Sequence, residues 1–351
     1  MRGPLAGRAT CLGAVVALAA VACSSGGGDT AEPTRTPAAG TSSSGSASST
    51  HPGTGRPDPD GRIVFGRITR VDDGYGQVVA LYAIDPDGSD EVQLTKGESA
   101  YPEWSPQGDR IAYTVGLADG SWQVATMAPD GSDVRVLTSG PGEHGSPAWT
   151  PDGSSLVYVH SPIVAGSGYR TTIWLMKADG SQQKRIGNPD TWDIEPKVSP
   201  DGTSVLFVRV TQAGQKLTTS LMVRDLSTGK ERALPAAGTW PEHADWARDG
   251  MSIVYNVWAG ITDTVPHDQV ERVPADGSGT PTVLFPATAS RGGFKPKFSP
   301  DGTRLVLGCV GVVTGKDDAA CTMDADGSNV RILVDSPSRD ENHFDWGPVP
   351  P

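Results

Sequence analysis

The chain has 351 residues, with 29 Lys and Arg against 41 Asp and Glu, and therefore a formal net charge of −12. Nucleic-acid binding requires a basic patch or stripe, and no such stripe is present, so we expect no nucleic-acid partner. The acidic residues are spread over many aspartate-containing turns, which we interpret as a feature that favours solubility.

Residues 1–22 have the features of a lipoprotein signal peptide. Arg2 and Arg8 precede an apolar run over residues 11–22, and this run is too short to span a bilayer. The run ends in "AVAC", which resembles a bacterial lipobox with Ala20 in place of the usual Leu. This resemblance implies that Cys23 is the lipidated first residue of the mature protein. The alternative is ordinary signal cleavage nearby, which would leave Cys23 without a lipid.

Residues 23–56 are predicted to form a flexible tether. They consist mainly of Ser, Gly, Thr, Pro and Ala, and so cannot bury a core. The root-mean-square reach of such a segment is about 30 Å. Bacterial lipoproteins, by resemblance, carry several acyl chains, which implies stable attachment. We therefore expect a folded part, residues 57–351, that is held at the outer face of the bacterial cytoplasmic membrane, on the periplasmic side of the cell envelope.

One phrase recurs in the folded part: "WTPDGSSLVYV" from Trp149, "VSPDGTSVLFV" from Val198 and "FSPDGTRLVLG" from Phe298. Pro, Asp and Gly are turn residues, because Pro presets φ, Asp bonds to nearby backbone and Gly tolerates positive φ. The apolar run after the turn indicates a β-strand. Each copy therefore predicts a strand, a tight turn and a second strand.

The phrase belongs to a repeat with a period of 45 to 52 residues. Its turn glycines are Gly61, Gly108, Gly153, Gly202, Gly250 and Gly302. A second turn, typified by "DGS", lies between them, and its six copies begin at Asp85, Ala128, Lys177, Leu226, Pro274 and Asp324. Two hairpin turns and four short strands per repeat are typical of a β-propeller blade.

The ends of the folded part predict how the ring closes. The chain stops at "HFDWGPVPP", which looks like a first strand, whereas "PDPDGRIVFG" from Pro57 provides a turn and a second strand. Together the two ends complete one blade and remove the exposed sheet edges. The sequence therefore predicts an all-β, six-bladed propeller in which the C-terminal strand pairs with the N-terminal strands.

At "WSPQGDRIAY" and "FSPDGTRLVLG" the chain resembles the propeller of TolB-type proteins, a branch of the WD-like repeats. The resemblance covers residues 57–351 and concerns the fold, since a propeller hosts many functions. TolB proteins carry a small α/β domain before the propeller. We expect none here, because the preceding 56 residues leave no room for it.

Two cysteines, Cys309 and Cys321, lie in the folded part and flank a polar loop of the sixth repeat. The loop is expected to join the second and third strands, so the two cysteines would face each other. In an exported protein this arrangement predicts a disulfide. Two free buried thiols are the alternative.

The entry of each first strand carries the candidate site, because the first strand of a propeller blade lies nearest the axis. The residues three positions before the large apolar anchor of that strand are Tyr101, Ser146, Glu195, His243, Lys295 and His343. His144 lies two residues before Ser146. Trp192, Trp240 and Phe294 are also near these loops. We expect this channel mouth to bind a ligand, because exposed aromatic residues beside polar groups suit sugars or peptides.

Alternatives at these positions remain open. Trp192 and Trp240 would equally suit packing between loops, whereas Trp104, Trp149 and Trp246 occupy the anchor position and are predicted to lie between blades. His144, Glu195, His243 and His343 are the candidate ligands for a divalent metal. Polar residues nevertheless belong at a wet channel mouth, and Lys295 would repel a cation. We therefore predict no metal and no cofactor.

No catalytic residue is predicted. The "DADGS" turns are interpreted as structural turns, because an EF-hand needs more oxygen ligands and flanking helices. The folded part contains no G-x-S-x-G elbow of a serine hydrolase.

The main functional hypothesis is a monomeric, non-enzymatic binding or scaffold protein for an envelope protein or polysaccharide. The alternative is a metal-dependent polysaccharide lyase or hydrolase that uses the histidines of the mouth. The architecture of oligogalacturonate lyases, which hold a metal by histidines at the propeller centre, is similar and motivates this alternative.

Overall fold

A computed structural model describes most of the chain beyond residue 60. The described residues are 61–70, 77–162, 170–258, 268–288, 290–312, 318–335 and 340–348. The predicted signal peptide 1–22, Cys23 and the tether 23–56 lie outside them. No helix in these ranges has the length and hydropathy needed to cross a membrane.

The described residues form 24 strands. The first twelve are β1 (Ile63–Arg70), β2 (Gln77–Ile84), β3 (Val92–Gln93), β4 (Ser99–Trp104), β5 (Ile111–Gly116), β6 (Trp122–Met127), β7 (Arg135–Val136), β8 (Glu143–Trp149), β9 (Ser155–Ser161), β10 (Thr172–Lys177), β11 (Lys184–Arg185) and β12 (Trp192–Val198). The second twelve are β13 (Ser204–Ala213), β14 (Lys216–Asp225), β15 (Glu231–Ala233), β16 (Thr239–Trp246), β17 (Ser252–Trp258), β18 (Asp268–Pro274), β19 (Thr282–Phe285), β20 (Gly292–Phe298), β21 (Arg304–Val310), β22 (Asp318–Asp324), β23 (Arg331–Asp335) and β24 (Asp340–Trp346).

These strands form six antiparallel sheets of four, which are the six blades of a β-propeller. Blade 1 has the order β24-β1-β2-β3, and blades 2 to 6 each contain four consecutive strands, beginning at β4, β8, β12, β16 and β20. In blade 1, Ile63 pairs with Trp346 and Val64 with Asp345. The predicted six-bladed fold and its closure by the C-terminal strand are therefore confirmed.

The recurrent phrase forms the turn between the first and second strands of blades 2 to 6. In blade 6, the Gly302 N–H donates to the Ser299 carbonyl over 2.9 Å. The Asp301 carboxylate accepts hydrogen bonds from the Thr303 N–H at 3.0 Å and the Ser299 hydroxyl at 2.6 Å. Gly302 has a φ of +74°, which a residue with a Cβ rarely adopts. The turn chemistry in the sequence thus corresponds directly to local hydrogen bonds.

The core lies between neighbouring blades. The anchor Trp104 clusters with Val64 and Leu81 of blade 1, and Trp149 clusters with Ala112 and Val124 of blade 2. Trp246 is likewise buried in a cluster that includes strands of blade 4. Each anchor therefore buries its indole against the preceding blade, as predicted for the anchor position.

A disulfide joins β21 and β22 of blade 6. It links Cys309 and Cys321, whose Cα atoms are 5.9 Å apart. Both cysteines are fully buried in the cluster between blades 5 and 6. A cross-link that closes a loop of this size stabilises the fold by about 3 kcal/mol.

We predict that Gly302→Ala lowers the free energy of unfolding by about 1 kcal/mol, because Ala strains at positive φ. The added Cβ would meet the Arg248 side chain at an ordinary 3.6 Å, so the loss isolates the backbone effect. Urea unfolding would measure it. Gly97→Ala is the control, since a Cβ there meets nothing within 4 Å. Equal stability of the two variants would contradict this account of the turn.

Candidate functional site: the mouth of the propeller channel

The first strand of every blade contains a β-bulge at the same place. In blade 2, Ala100 pairs with Thr114 and Glu103 with Ala112, so Tyr101 and Pro102 lie opposite a single residue of β5. The same shift of register occurs in the other five blades. The first bulge residues, with φ between +48° and +54°, are Tyr101, Ser146, Glu195, His243, Lys295 and His343.

These six residues, which we call the mouth ring, are held in an unfavourable backbone conformation. A bulge whose first residue adopts the left-handed conformation usually has Gly there. A non-glycine residue at such a φ costs on the order of 1–2 kcal/mol. None of the six is Gly. Each blade therefore retains a side chain at a position where the backbone alone would favour its absence.

The mouth ring surrounds one cavity that is partly open to solvent. All six members line it, together with Pro102, Pro147, Pro196, Ala244 and Phe344 from the second bulge positions. Lys197 and Lys297 also contribute to its wall. The structure thus brings together at one opening the six positions that the sequence placed at the channel mouth.

Four other candidate residues, Phe294 among them, do not line this cavity. His144 stacks on His160 within blade 3, with ring centroids 4.3 Å apart and planes 3° apart. Trp192 packs against the core cluster shared by blades 4 and 5. Trp240 is half-buried in β16, at a positive φ of 57°. Proximity in sequence to the mouth ring therefore did not bring these side chains into the opening.

Glu195 and His243 form an ion-pair arrangement on one side of the mouth. The His243 Nδ1 lies 2.8 Å from the Glu195 Oε1, and the His243 backbone N–H donates to Glu195 Oε2, also over 2.8 Å. Burial lowers the pKa of His243, although the Glu195 carboxylate partly opposes this effect. Burial alone would raise the pKa of Glu195, but its charge and hydrogen-bond interactions with His243 leave that pKa lowered. Glu195 is therefore a carboxylate already bound to its neighbouring blade.

His343 lies on the other side of the mouth from the Glu195–His243 pair. Its Nε2 is 3.5 Å from the Lys295 Nζ, and its ring centroid is 3.9 Å from that of Tyr101. The His243 and His343 rings are 6.2 Å apart, so the opening is narrow. Burial and then the charge of Lys295 lower the pKa of His343 well below its ordinary value, which keeps the imidazole neutral. The His343 Nδ1 and the Ser146 Oγ are buried without a hydrogen-bond partner.

A group of acidic residues behind the mouth ring was not predicted from the sequence. Glu242 lies 3.9 Å from the His243 Nε2, and burial followed by the charges of Glu195 and Asp268 raises its pKa to about 8. Burial also raises the pKa of Asp268 to about 6, against the hydrogen bond from Asn256. Glu242 is opposite Asn256 in the β16–β17 register. Only this cross-strand pairing could have indicated the group.

A second ring lies two residues further along each first strand. Its members are Glu103, Ala148, Lys197, Asp245, Lys297 and Asp345. The sequence carries a signal for this ring, since in five blades a charged residue directly precedes the anchor, as in "EW", "DW" and "KF".

The carboxylates of the second ring hold neighbouring blades together. Asp345 accepts a hydrogen bond from the Trp104 N–H at 2.7 Å, and Glu103 accepts one from the Trp149 N–H at 2.9 Å. Glu103 is also ion-paired with Lys197. Asp245 accepts from the backbone N–H of the blade 6 anchor and lies 3.4 Å from the Lys297 ammonium. These charges are engaged in structural contacts.

The metal candidates are only partly assembled. Glu195, His243 and His343 share the mouth, whereas His144 lies in the stack with His160. Within the described ranges, no three His, Cys, Asp or Glu side chains are placed to hold a metal ion.

The fold and the mouth ring define a six-bladed propeller with a polar central opening. A protein-family model described as the TolB beta-propeller domain matches residues 67–280, which is more than half of the chain. The chain belongs to the TolB beta-propeller family.

Known relatives and structures agree with this assignment. The uncharacterized protein Atu1656 of Agrobacterium fabrum is 28% identical over 206 residues, 56% of this chain and 67% of that protein. The uncharacterized peptidase YuxL of Bacillus subtilis is 32% identical over 104 residues, 28% of this chain and only 16% of that protein. The crystal structure of TolB from Acinetobacter baumannii has a TM-score of 0.64 at 22% identity, covering 84% of this chain and 69% of that one. This last similarity concerns the fold alone.

We predict that Ser146→Gly leaves the free energy of unfolding unchanged or raises it by up to about 1 kcal/mol. Gly relieves the left-handed conformation, and no hydrogen bond of the Ser146 hydroxyl is lost. Urea unfolding of the wild type and the variant would measure the change. A loss of more than about 1 kcal/mol would show that the side chain supports the fold.

Glu242 makes stability depend on pH in a specific direction. The folded protein holds its proton up to a pKa of about 8, whereas the unfolded chain releases it near the ordinary value of 4.5. The stabilisation of the folded state by the protonated Glu242 is therefore fully present below pH 4.5 and is lost as the pH rises through 8.

Gln has no proton to lose, so the free energy of unfolding of Glu242→Gln should rise relative to that of the wild type as the pH increases from 4 to 9. The difference at pH 9 should be on the order of 2–4 kcal/mol. Thermal or urea unfolding at several pH values would measure the difference. Near pH 4 the two proteins should unfold alike, which is the internal control. A difference that stays constant with pH would contradict the raised pKa.

Proposed function

We propose that this chain is an extracytoplasmic, non-enzymatic binding protein that takes up a segment of a cell-envelope protein in the mouth of its channel. The observation that carries the proposal is the mouth ring, in which six non-glycine residues are kept at positive φ around a single cavity. Backbone strain of this kind is concentrated at functional sites. A position needed only for the fold would be expected to be Gly where the side chain makes no hydrogen bond, as at Ser146.

The chemistry of the mouth favours binding over catalysis. The Glu195 carboxylate is already bound to His243, and the neutral His343 is held between Tyr101 and Lys295. A general base needs a nucleophile or substrate proton within hydrogen-bond reach. The hydroxyl of Ser146 is buried and makes no hydrogen bond to an imidazole or carboxylate. Polar groups in fixed directions around a rigid opening suit recognition of a ligand.

The location of the protein completes the proposal. A lipid on Cys23 and the tether 23–56 would hold a monomeric propeller close to the outer face of the cytoplasmic membrane. The partner in this proposal is an envelope protein, and an envelope polysaccharide is the alternative. The support is the composition of the first 56 residues and the membership of the TolB beta-propeller family.

Site-specific photo-crosslinking in cells tests the proposed function. A small aliphatic diazirine side chain at position 146, which leaves the mouth open, should form a discrete adduct with an envelope protein. Met251, which is exposed and lies in a turn after the first strand of blade 5, is the control position. Ser146→Tyr should abolish the same interaction by filling the mouth, and Tyr101 shows that this bulge position accommodates Tyr.

Two outcomes would contradict the proposal. Equal adducts from positions 146 and 251 would show that the mouth is not the binding site. Metal-dependent cleavage of an envelope polysaccharide by the purified protein would support the lyase or hydrolase hypothesis in its place.

A further inference from the structure

We propose that His144 and His160 form a proton-sensitive lock in blade 3, which holds the start of β8 in place while both imidazoles are neutral. Protonation separates the two rings and releases the bulge that carries Ser146 into the mouth ring. The lock itself is independent of the proposed function, but its effect on ligand binding rests on that function. The stacking, the enclosure and the hydrogen bonding of the two imidazoles each make a proton on the pair unfavourable.

The two imidazoles are stacked face to face across one hairpin. His144 of β8 lies directly opposite His160 of β9 in the strand register. Their ring centroids are 4.3 Å apart and their planes differ by 3°. Like charges directly opposite each other on neighbouring strands are destabilising. Two protons on the pair would place two positive charges in contact, so the rings would have to separate.

Side chains and backbone enclose the stack and limit the access of water to it. His144 is 5% exposed. The Tyr158 ring lies 6.0 Å from the His144 ring, and the Trp174 indole meets the His160 ring edge-on at 5.3 Å. A Cβ at Gly142 would lie only 2.8 Å from the His160 Nε2, so the backbone before β8 closes this side. Burial of this kind penalises the charged form of an imidazole.

Each ring has a buried nitrogen without a hydrogen-bond partner among the described residues. These atoms are the Nδ1 of His144 and the Nε2 of His160. A neutral imidazole tolerates this, because one of its nitrogens is an acceptor that carries no hydrogen. The Pro141 carbonyl offers His160 a hydrogen bond, which falls to Nδ1 because Nε2 has no partner. A protonated imidazole donates from both nitrogens, so protonation would bury a charged N–H without an acceptor, which is unfavourable.

The charges around the pair do not compensate for a proton on it. The strands that pack against β8 and β9 are β4, β5, β6, β10 and β12. The other titratable residues on these seven strands are Tyr101, Glu103, Tyr113, Glu143, Tyr158, Lys177, Asp193, Glu195 and Lys197. Burial and then the charge of His160 lower the pKa of His144 to about 4. Burial also lowers the pKa of His160, against the hydrogen bond offered by Pro141.

Three of these carboxylates are engaged elsewhere. Glu103 is ion-paired with Lys197, and the Asp193 carboxylate lies 2.7 Å from the Arg209 guanidinium. Glu195 is bound to His243 across the mouth. A proton on the stack would therefore find its nearby acidic groups already committed to other partners.

The lock lies beside the bulge of the same strand. Glu143, His144 and Gly145 pair regularly with β9 before the register shifts at the bulge, and His144 is the middle one of the three. On the other side, the Ser146 N–H donates to Thr114 Oγ1 of blade 2 over 3.0 Å. Separation of the two imidazoles removes the middle of this three-residue support. The bulge and the Ser146 side chain then lose their fixed position at the mouth.

Unfolding by urea at two pH values tests the lock in the purified full-length protein. An unfolded histidine takes up its proton near pH 6.5, whereas His144 in the stack does so only near pH 4. The stabilisation by the neutral pair is therefore full above pH 6.5 and is lost as the pH falls towards 4. Between pH 7.5 and pH 5.0, the unfolding equilibrium constant of the wild type should rise about tenfold more than that of the double variant His144→Gln, His160→Gln.

Hydrogen–deuterium exchange locates the effect in the structure. At pH 5.0 relative to pH 7.5, and after correction for intrinsic rates, the amides of β8 and β9 should exchange about fivefold faster in the wild type. The double variant should show no such increase. The hairpin of β20 and β21 is the internal control, because it has the same bulge, contains no histidine and lies across the ring from blade 3.

Crosslinking from position 146 then shows whether the lock acts on binding. The yield of the adduct should fall when cells are shifted from external pH 7.5 to pH 5.0, and the double variant should keep its yield. If the adduct is absent at both pH values while the difference in exchange is present, the lock is supported and the proposed function is wrong.

Equal pH dependence of unfolding and exchange in the wild type and the double variant would overturn the inference. If the double variant does not fold, the 13C chemical shifts of the two imidazoles in the wild type decide the question. Rings that stay neutral down to pH 5 support the lock. Titration of either ring near pH 6.5, with the exchange of β8 and β9 unchanged, contradicts it.

Discussion

The extra residue in the first strand of each blade is the constraint on which the rest of the molecule depends. It takes the N–H of the first bulge residue out of the hydrogen-bond ladder of its own blade. Ser146 donates its N–H to Thr114 Oγ1 at 3.0 Å, and His243 donates to Glu195 at 2.8 Å, in each case across to the preceding blade. The same local distortion therefore places a side chain at the channel and ties neighbouring blades together. The bulge is therefore the common structural cause of the candidate site and of the stability of the ring of blades.

Burial at the mouth determines which groups remain charged. Removal from water penalises the charged form, so His343 stays neutral and the raised pKa of Glu242 lets it keep its proton at neutral pH. Glu195 remains a carboxylate because His243 supplies both a side-chain contact and a backbone N–H. The opening therefore presents hydrogen-bonding groups whose directions are set by their neighbours.

The mouth ring and the second ring have different roles in the first strands. In the second ring, the carboxylates accept backbone N–H groups of the next anchor and approach lysines, as with Glu103 and Asp245. In the mouth ring, the His343 Nδ1 and the Ser146 Oγ have no such partners. The second ring therefore contributes mainly contacts between blades, whereas the mouth ring includes two polar atoms without a hydrogen-bond partner.

The sequence by itself determined the repeat, the number of blades, the two turns of each blade and the closure by the terminal strand. These follow from local chemistry, since Pro, Asp and Gly specify a turn and alternating apolar residues specify a strand within a few positions. The sequence also located the mouth ring through its spacing from the anchor. Only the tertiary structure decided what surrounds each of these residues. His144 is two residues from Ser146 and in a regular strand would share its face, but the bulge at Ser146 breaks that alternation. The pairing of Glu195 with His243 and the raised pKa of Glu242 likewise depend on distances between blades, which no local pattern encodes.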